Sequence, residues 1–446
     1  MNGVNVKDAL SKINNWLSSY ASRFPEPIDT IAEIERDFLV ELQRIDDDDQ
    51  CLSIGIMGQV KAGKSSFLNA LLFDGKPILP EAATPKTANL TRICYGEQPH
   101  LVVHYYSPEE WAAFAREAAG DGDSVRSRVA RDLVGMVRSN GIDDVEAILA
   151  RQQDSFPAAG IDELMNRLND YVGENGRYTA LVKFTEIRLP LDELKGFEII
   201  DTPGMNDPVP SRTQKTRDYM SRCDVVFFLS RCSQFLDQSD MELLALQLPA
   251  KGVKRMVLVA GQLDGVIIDD GYDRDSLART EQNVRTRLGK RAEIEMEKLA
   301  ANREAMGDTS IAELLRGLKK PIFASTYAHG YANWDEGRWG GSMRHMHQQL
   351  TELAEESWNA YRFTPKDWER LGNFSVLTAA YEQARQDKHA LMQARRDDLL
   401  PRTQANLERA LDKLANAADQ RAALLKTGDI NKIEVSTKAC KERIAG

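Results

Sequence analysis

Lys64 and Ser65 close an octet, Gly58-Gln59-Val60-Lys61-Ala62-Gly63-Lys64-Ser65, that leaves a short apolar run, Cys51 to Met57, and enters the helix-forming stretch Ser66 to Leu72. The spacing is that of a phosphate-binding loop. Glycines at 58 and 63 let successive backbone N–H groups curl round an anion, and the helix start behind them adds partial positive charge. In that pattern Lys64 bridges the β- and γ-phosphates and the Ser65 hydroxyl ligates Mg²⁺, with main-chain donors from Gly58 through Ser66.

A second element fits the first. Phe197 to Asp201 is an apolar strand that ends in a carboxylate, followed by Thr202-Pro203-Gly204. Asp201 belongs to the magnesium shell, and the Gly204 N–H can meet a γ-phosphate. ATP-driven motor sites more often follow the strand Asp with Glu; Thr-Pro-Gly is the usual second switch of a GTPase. The loop Leu79 to Thr87 lies where a first switch belongs, and Thr87 is favoured over Thr84 to complete the metal shell and order the attacking water. Loop threonines without a metal contact are the alternative.

Base-reading residues are fewer. Val257 to Asp264 is an apolar strand and its exit, where a guanine-specific N/T-K-x-D is expected, but only Asp264 is retained. Asp264 can accept from guanine N1 and N2, whereas Gly261 and Gln262 cannot repeat the usual Asn and Lys contacts. Phe323 to Thr326, with Ser325 as the contact residue, is similar to the loop whose backbone N–H meets guanine O6. The substrates implied are GTP and Mg²⁺; the degraded base motif leaves an ATPase as a competing reading.

These residues need a scaffold. Apolar runs at 182–189, 197–200, 225–230, 256–260 and 321–324 alternate with stretches long enough for crossover helices, which predicts an α/β fold with a mostly parallel sheet. Between about 107 and 176 the pattern turns helical, starting at the capping box Ser107-Pro108-Glu109-Glu110 and continuing through 124–152 and 161–172, so a helical insertion is expected. Helical spacing in residues 1–49 and from about 341 to 446, with a break at Pro401, predicts all-α flanks. Leu407, Leu411, Leu414, Ala418, Ala422 and Leu425 form one stripe whose natural partner is the N-terminal pair of helices. The expected domains are therefore 1–49, 50–340 and 341–446.

Composition excludes several classes. Of 446 residues 42% are hydrophobic and 28% charged, a balance suited to a protein that folds in water. A net charge of -10 argues against nonspecific nucleic-acid binding. The five cysteines have no metal-like spacing, and no run is long enough to span a bilayer. A cytoplasmic location follows, with membrane contact at most peripheral. Arg385, Lys388, Arg395, Arg396 and Arg402 carry interspersed carboxylates and read as a solvated helix face. Trp334 and Trp339, among glycines, read as a surface loop.

Residues 58–72, 79–96 and 197–207 together resemble the GTPase domain of bacterial dynamin-like proteins. The resemblance covers roughly 50 to 340 and extends more loosely to the flanks, which it assigns to a neck and trunk. It implies nucleotide-controlled homodimerisation through the GTPase faces or hetero-oligomers with related subunits, low nucleotide affinity, and membrane remodelling. Two departures stand out. The positions of the family's water-positioning glutamines hold Val60 and Met205, and no compact apolar paddle is found in the last 100 residues; a paddle elsewhere in the chain, a partner for membrane action, or a chain that is not the whole natural product would account for the second. Lys61 occupies a position that in dynamins helps hold a monovalent cation, so its ammonium is a candidate catalytic charge beside Lys64 and Thr87.

Overall fold

The computed structural model describes residues 3–46, 51–59, 61–77, 79, 90–120, 125–172, 176–201, 223–246 and 253–426. Val60, Thr84, Thr87 and Gly204 lie outside the described residues, as does Met205.

Nine strands form one sheet: β1 (Leu52–Gly58), β2 (Leu90–Tyr95), β3 (His100–Tyr105), β4 (Gln153–Pro157), β5 (Val182–Leu189), β6 (Phe197–Asp201), β7 (Val225–Arg231), β8 (Arg255–Gly261) and β9 (Ile322–Phe323). Their order is β4-β3-β5-β2-β6-β1-β7-β8-β9. β1 runs parallel to both neighbours, β6 and β7, and β8 and β9 continue the parallel half. Both faces of that half are covered, so β1 and β6 are buried along their whole length, which is why they read as unbroken apolar runs. Antiparallel pairings appear between β2 and β6, β3 and β5, and β3 and β4.

Two expectations are corrected here. The insertion is not all helical, because β4 lies inside it as an edge strand. Its sequence, Gln153-Asp154-Ser155-Phe156-Pro157, exposes every second residue and so carries no apolar signal. The helix expected over 124–152 is two, Val125–Ser139 and Val145–Ala150, parted at Gly141, whose φ of 60° an α-helix cannot hold. The capping box at Ser107 and Glu110 is present, with Pro108 in the first turn.

The second correction is at Pro401, which lies inside one helix, Lys388–Lys426. Proline forfeits one backbone hydrogen bond there. Packing outweighs that loss: Leu399 and Ala410 of this helix are buried against the N-terminal helices Gly3–Ser18 and Pro25–Asp46. Leu407, Leu411 and Leu414 of the stripe join Leu17, Ile28 and Ile31 in that packing.

By contacts the chain divides into one unit of residues 1–50 with 392–446 and a second of 51–391. Within the second, Leu350, Leu353, Trp368 and Leu371 pack in the same core as Leu258 and Ile267, so the helices Gly341–Ser357 and Pro365–Gly372 belong with the sheet. Arg385 and Lys388 are not a free basic face: both cations lie over the Phe197 ring, at 5.2 Å from its centroid.

Candidate nucleotide site

The central position of β1 assembles the site. Gly58 ends β1 opposite Leu229 of β7, and Ile56 stands opposite Asp201 of β6, so the sheet register delivers the strand carboxylate to the loop. Past Gly58 the chain turns through positive φ at Lys61 (64°) and Gly63 (84°) before the helix Lys64–Phe73 begins. Left-handed backbone at such points lets a loop curl round an anion, and here the Ala62 N–H turns back to donate to the Gln59 carbonyl at 3.2 Å. Lys61 adopts that conformation at a steric cost, with a side chain that stays exposed.

Lys64, by contrast, is buried at 8% exposure and donates to the carbonyl oxygens of Gly58 and Gln59, each at 3.0 Å. Burial pulls its ammonium down to about 8, against the pull of Asp201 and Asp240. Asp201 is pushed up to about 6 by burial, while Lys64 and the Ser65 hydroxyl hold it back. Ser65 Oγ donates to Asp201 Oδ2 at 3.2 Å. The other oxygen, Oδ1, is buried and has no hydrogen-bond partner among the described residues. An orphaned carboxylate oxygen next to a serine hydroxyl is an oxygen-donor set suited to Mg²⁺.

The raised value of Asp201 gives a signed prediction. A carboxyl whose folded value lies above its unfolded one contributes most below the unfolded value, and that contribution is lost as pH rises through about 6. Asp201→Asn cannot ionise. In nucleotide-free protein with chelator, its thermal midpoint should therefore gain on wild type between pH 4 and 6 and keep that gain to pH 7. A difference that is flat or falls across this window would contradict the burial argument.

Asp264 (3% exposed) and Ser325 (fully buried), the two candidate base contacts, lie side by side. The Ser325 hydroxyl bonds the Asp264 carboxylate, whose pKa burial raises while that bond and the N–H groups of Asp264 and Gly265 oppose the rise. Ser325 also caps the helix Thr326–Asn333, accepting from the Ala328 N–H at 3.0 Å.

Sequence reasoning missed three features. Gln262, also left-handed at φ 56°, donates from Nε2 to the Lys61 carbonyl at 3.0 Å, so the turn after β8 is tied to the loop after β1. Trp334 packs on Gly75 (φ 70°) just beyond the Lys64–Phe73 helix, where a Cβ would sit 2.1 Å from the ring, and is no free surface side chain. Asp237 and Asp240 approach Gln59 from the segment after β7. All three join residues far apart in sequence, so local spacing left no signal for any of them.

Residues 54–262 match the model of the dynamin family. Dynamin-like protein 1 of Campylobacter jejuni is 27% identical over 237 residues, covering 53% of this chain and 30% of that protein. The bacterial dynamin-like protein of Nostoc punctiforme is 26% identical over 273 residues, covering 60% and 33%. The chain thus spans about a third of the length of the curated relatives it matches. A solved bacterial dynamin pair, described as oligomerised and as sensing and tethering membranes at long range, aligns over 100% of this chain and 53% of its own at 18% identity, with a TM-score of 0.43.

Proposed function

We propose, for a chain that belongs to the bacterial dynamin-like branch of the dynamin family, that it binds GTP and hydrolyses it to GDP and phosphate, dimerising through its GTPase faces. The observation that carries this is the meeting of Lys64, Ser65 and Asp201 at the ends of β1 and β6, with one oxygen of Asp201 left without a partner among the described residues.

In this reading the Lys64 ammonium exchanges its two carbonyl partners for the β- and γ-phosphate oxygens, and the loop amides from Gly58 to Ser66 take the remaining phosphate oxygens. Ser65, Asp201 and Thr87 are the magnesium ligands, and the ion, when bound, neutralises charge on the β- and γ-oxygens. Gly204 offers its N–H to the γ-phosphate, and the Thr87 backbone orders the water for in-line attack. Positioning and electrostatics supply the acceleration. Asp264, oriented by Ser325, receives guanine N1 and N2.

Lys61 stands at the position that in dynamins helps hold a charge-neutralising monovalent cation, and it is exposed at the loop tip, where a second protomer can press its ammonium toward the β–γ bridge. Lys61→Ala should lower kcat about tenfold or more at concentrations where dimers form and leave nucleotide affinity unchanged. Single-turnover kinetics and analogue titration separate the two; unchanged turnover would remove Lys61 from the mechanism.

No helix among the described residues is long and apolar enough to cross a membrane, so membrane remodelling or vesicle release would be peripheral, with related subunits as partners. The missing glutamines favour a second reading, a GTP-gated scaffold that barely hydrolyses. Phosphate release across a range of protein concentrations, with ATP in parallel, decides. GTP-specific turnover that rises per molecule with concentration supports the dimer-activated GTPase; tight GTP binding without turnover supports the scaffold.

A further inference from the structure

Gln59 is held from two sides, and only one of them belongs to the phosphate loop. Its carbonyl accepts from Lys64 Nζ at 3.0 Å and from the Ala62 N–H at 3.2 Å. Its side-chain amide donates to Asp237 Oδ1 at 2.6 Å and to Asp240 Oδ1 at 2.9 Å. Both N–H groups of that amide are thereby committed to carboxylates some 180 residues away in sequence.

Those carboxylates are themselves fixed. Asp240 is 1% exposed, and its Oδ2 accepts from Ser230 Oγ at 2.5 Å. Ser230, near the end of β7, accepts in turn from the Leu236 N–H at 2.8 Å. Asp237 Oδ1 also accepts from the Asp240 N–H at 3.0 Å, at the start of the helix Gln238–Leu246. The chain of contacts runs from the sheet through Ser230 and Asp240 to Gln59 and ends on Lys64.

We infer that Asp237 and Asp240 are positioning residues for the nucleotide site, a carboxylate brace that fixes Gln59 and through its carbonyl holds the first turn of the phosphate loop in binding geometry. The inference rests on the nucleotide-binding reading for its consequence, though not for the brace itself. Placing two carboxylates next to each other, one of them fully buried, is a costly way to stabilise a fold; apolar side chains of similar volume would do so at lower cost. What such a pair gives is a fixed orientation for one amide. Gln59 is polar and only partly buried, so its removal loosens the loop and leaves the core intact. A preordered loop forfeits less entropy when phosphate arrives.

The test uses Gln59→Met, which keeps length and removes both donors, Asp240→Asn, and the double variant. In nucleotide-free protein, amide hydrogen exchange in residues 58–66 should speed up about tenfold in Gln59→Met. Titration with a fluorescent GTP analogue should show about tenfold weaker binding, KM rising likewise while kcat stays within threefold. The double variant should lose no more than Gln59→Met alone, because that change already removes the donors through which Asp240 acts on the loop. Unchanged loop exchange in Gln59→Met, or losses that add in the double variant, would overturn the brace. Should wild-type protein bind no guanine nucleotide, the functional reading falls, and the exchange measurement still decides the brace by the same criterion.

Discussion

Lys64→Ala should reduce phosphate release from GTP by at least about a hundredfold, the scale of losing one preorganised charge from a phosphoryl-transfer site. Two effects add. The ammonium that would meet the β- and γ-oxygens is gone, and Asp201 loses the cation that holds its pKa down against burial, which weakens the carboxylate as a metal ligand at neutral pH. The fold should tolerate the change. Lys64 is a buried cation whose own pKa falls to about 8, chiefly through burial, so deleting it relieves a desolvation cost as well as breaking bonds to the Gly58 and Gln59 carbonyls. A thermal midpoint within a few degrees of wild type, measured beside phosphate release, would place the loss in the site. Turnover within threefold of wild type would mean that Lys64 does not touch the transferred phosphate.

Gly58→Ala should be the most damaging single-methyl change in the nucleotide-binding unit. A Cβ at Gly58 would sit 2.3 Å from the Leu229 carbonyl oxygen and 3.3 Å from its carbon, on a backbone with φ 151°. Both obstacles are main-chain atoms of β7, held by the ladder that pairs Gly58 with Leu229, so no side-chain rotation can make room. A cost of about 2–4 kcal/mol is expected in a urea midpoint, together with at least tenfold weaker nucleotide binding as the loop shifts. Gly289→Ala is the contrast. That glycine lies in the long helix Leu277–Ala305, where an added methyl would meet nothing within 4 Å, and the change should stabilise by about 0.5–1 kcal/mol. Equal midpoints for the two variants would show that the close approach of β1 to β7 is not rigid.

Both predictions depend on residues that were legible in different ways. The placing of Lys64 and Ser65 was legible because a strand, a tight glycine turn and a helix start follow one another within a few residues, and only a few residue types satisfy each step; Asp201 lies far along the chain and was marked by its own apolar strand and the Thr-Pro-Gly after it. The parallel half of the sheet was legible for a related reason, since strands buried on both faces are apolar throughout, and the N-terminal helices and the 407–414 stripe gave themselves away by period. β2, β3 and β4 were not read as strands. β4 lies at the sheet edge with alternate residues exposed, and β2 and β3 carry Arg92, His100 and His104 among their apolar residues, so neither unbroken runs nor clean alternation marked them.

The sequence by itself determined the phosphate loop, the strand-borne carboxylate and the mostly parallel α/β class, because each is written in contiguous residues. Only the tertiary structure decided which residues surround that loop. Gln262 on the Lys61 carbonyl, Ser325 on Asp264, and Asp237 and Asp240 on Gln59 are contacts across a sheet whose strand order differs from chain order, and no local spacing encodes which strand becomes whose neighbour.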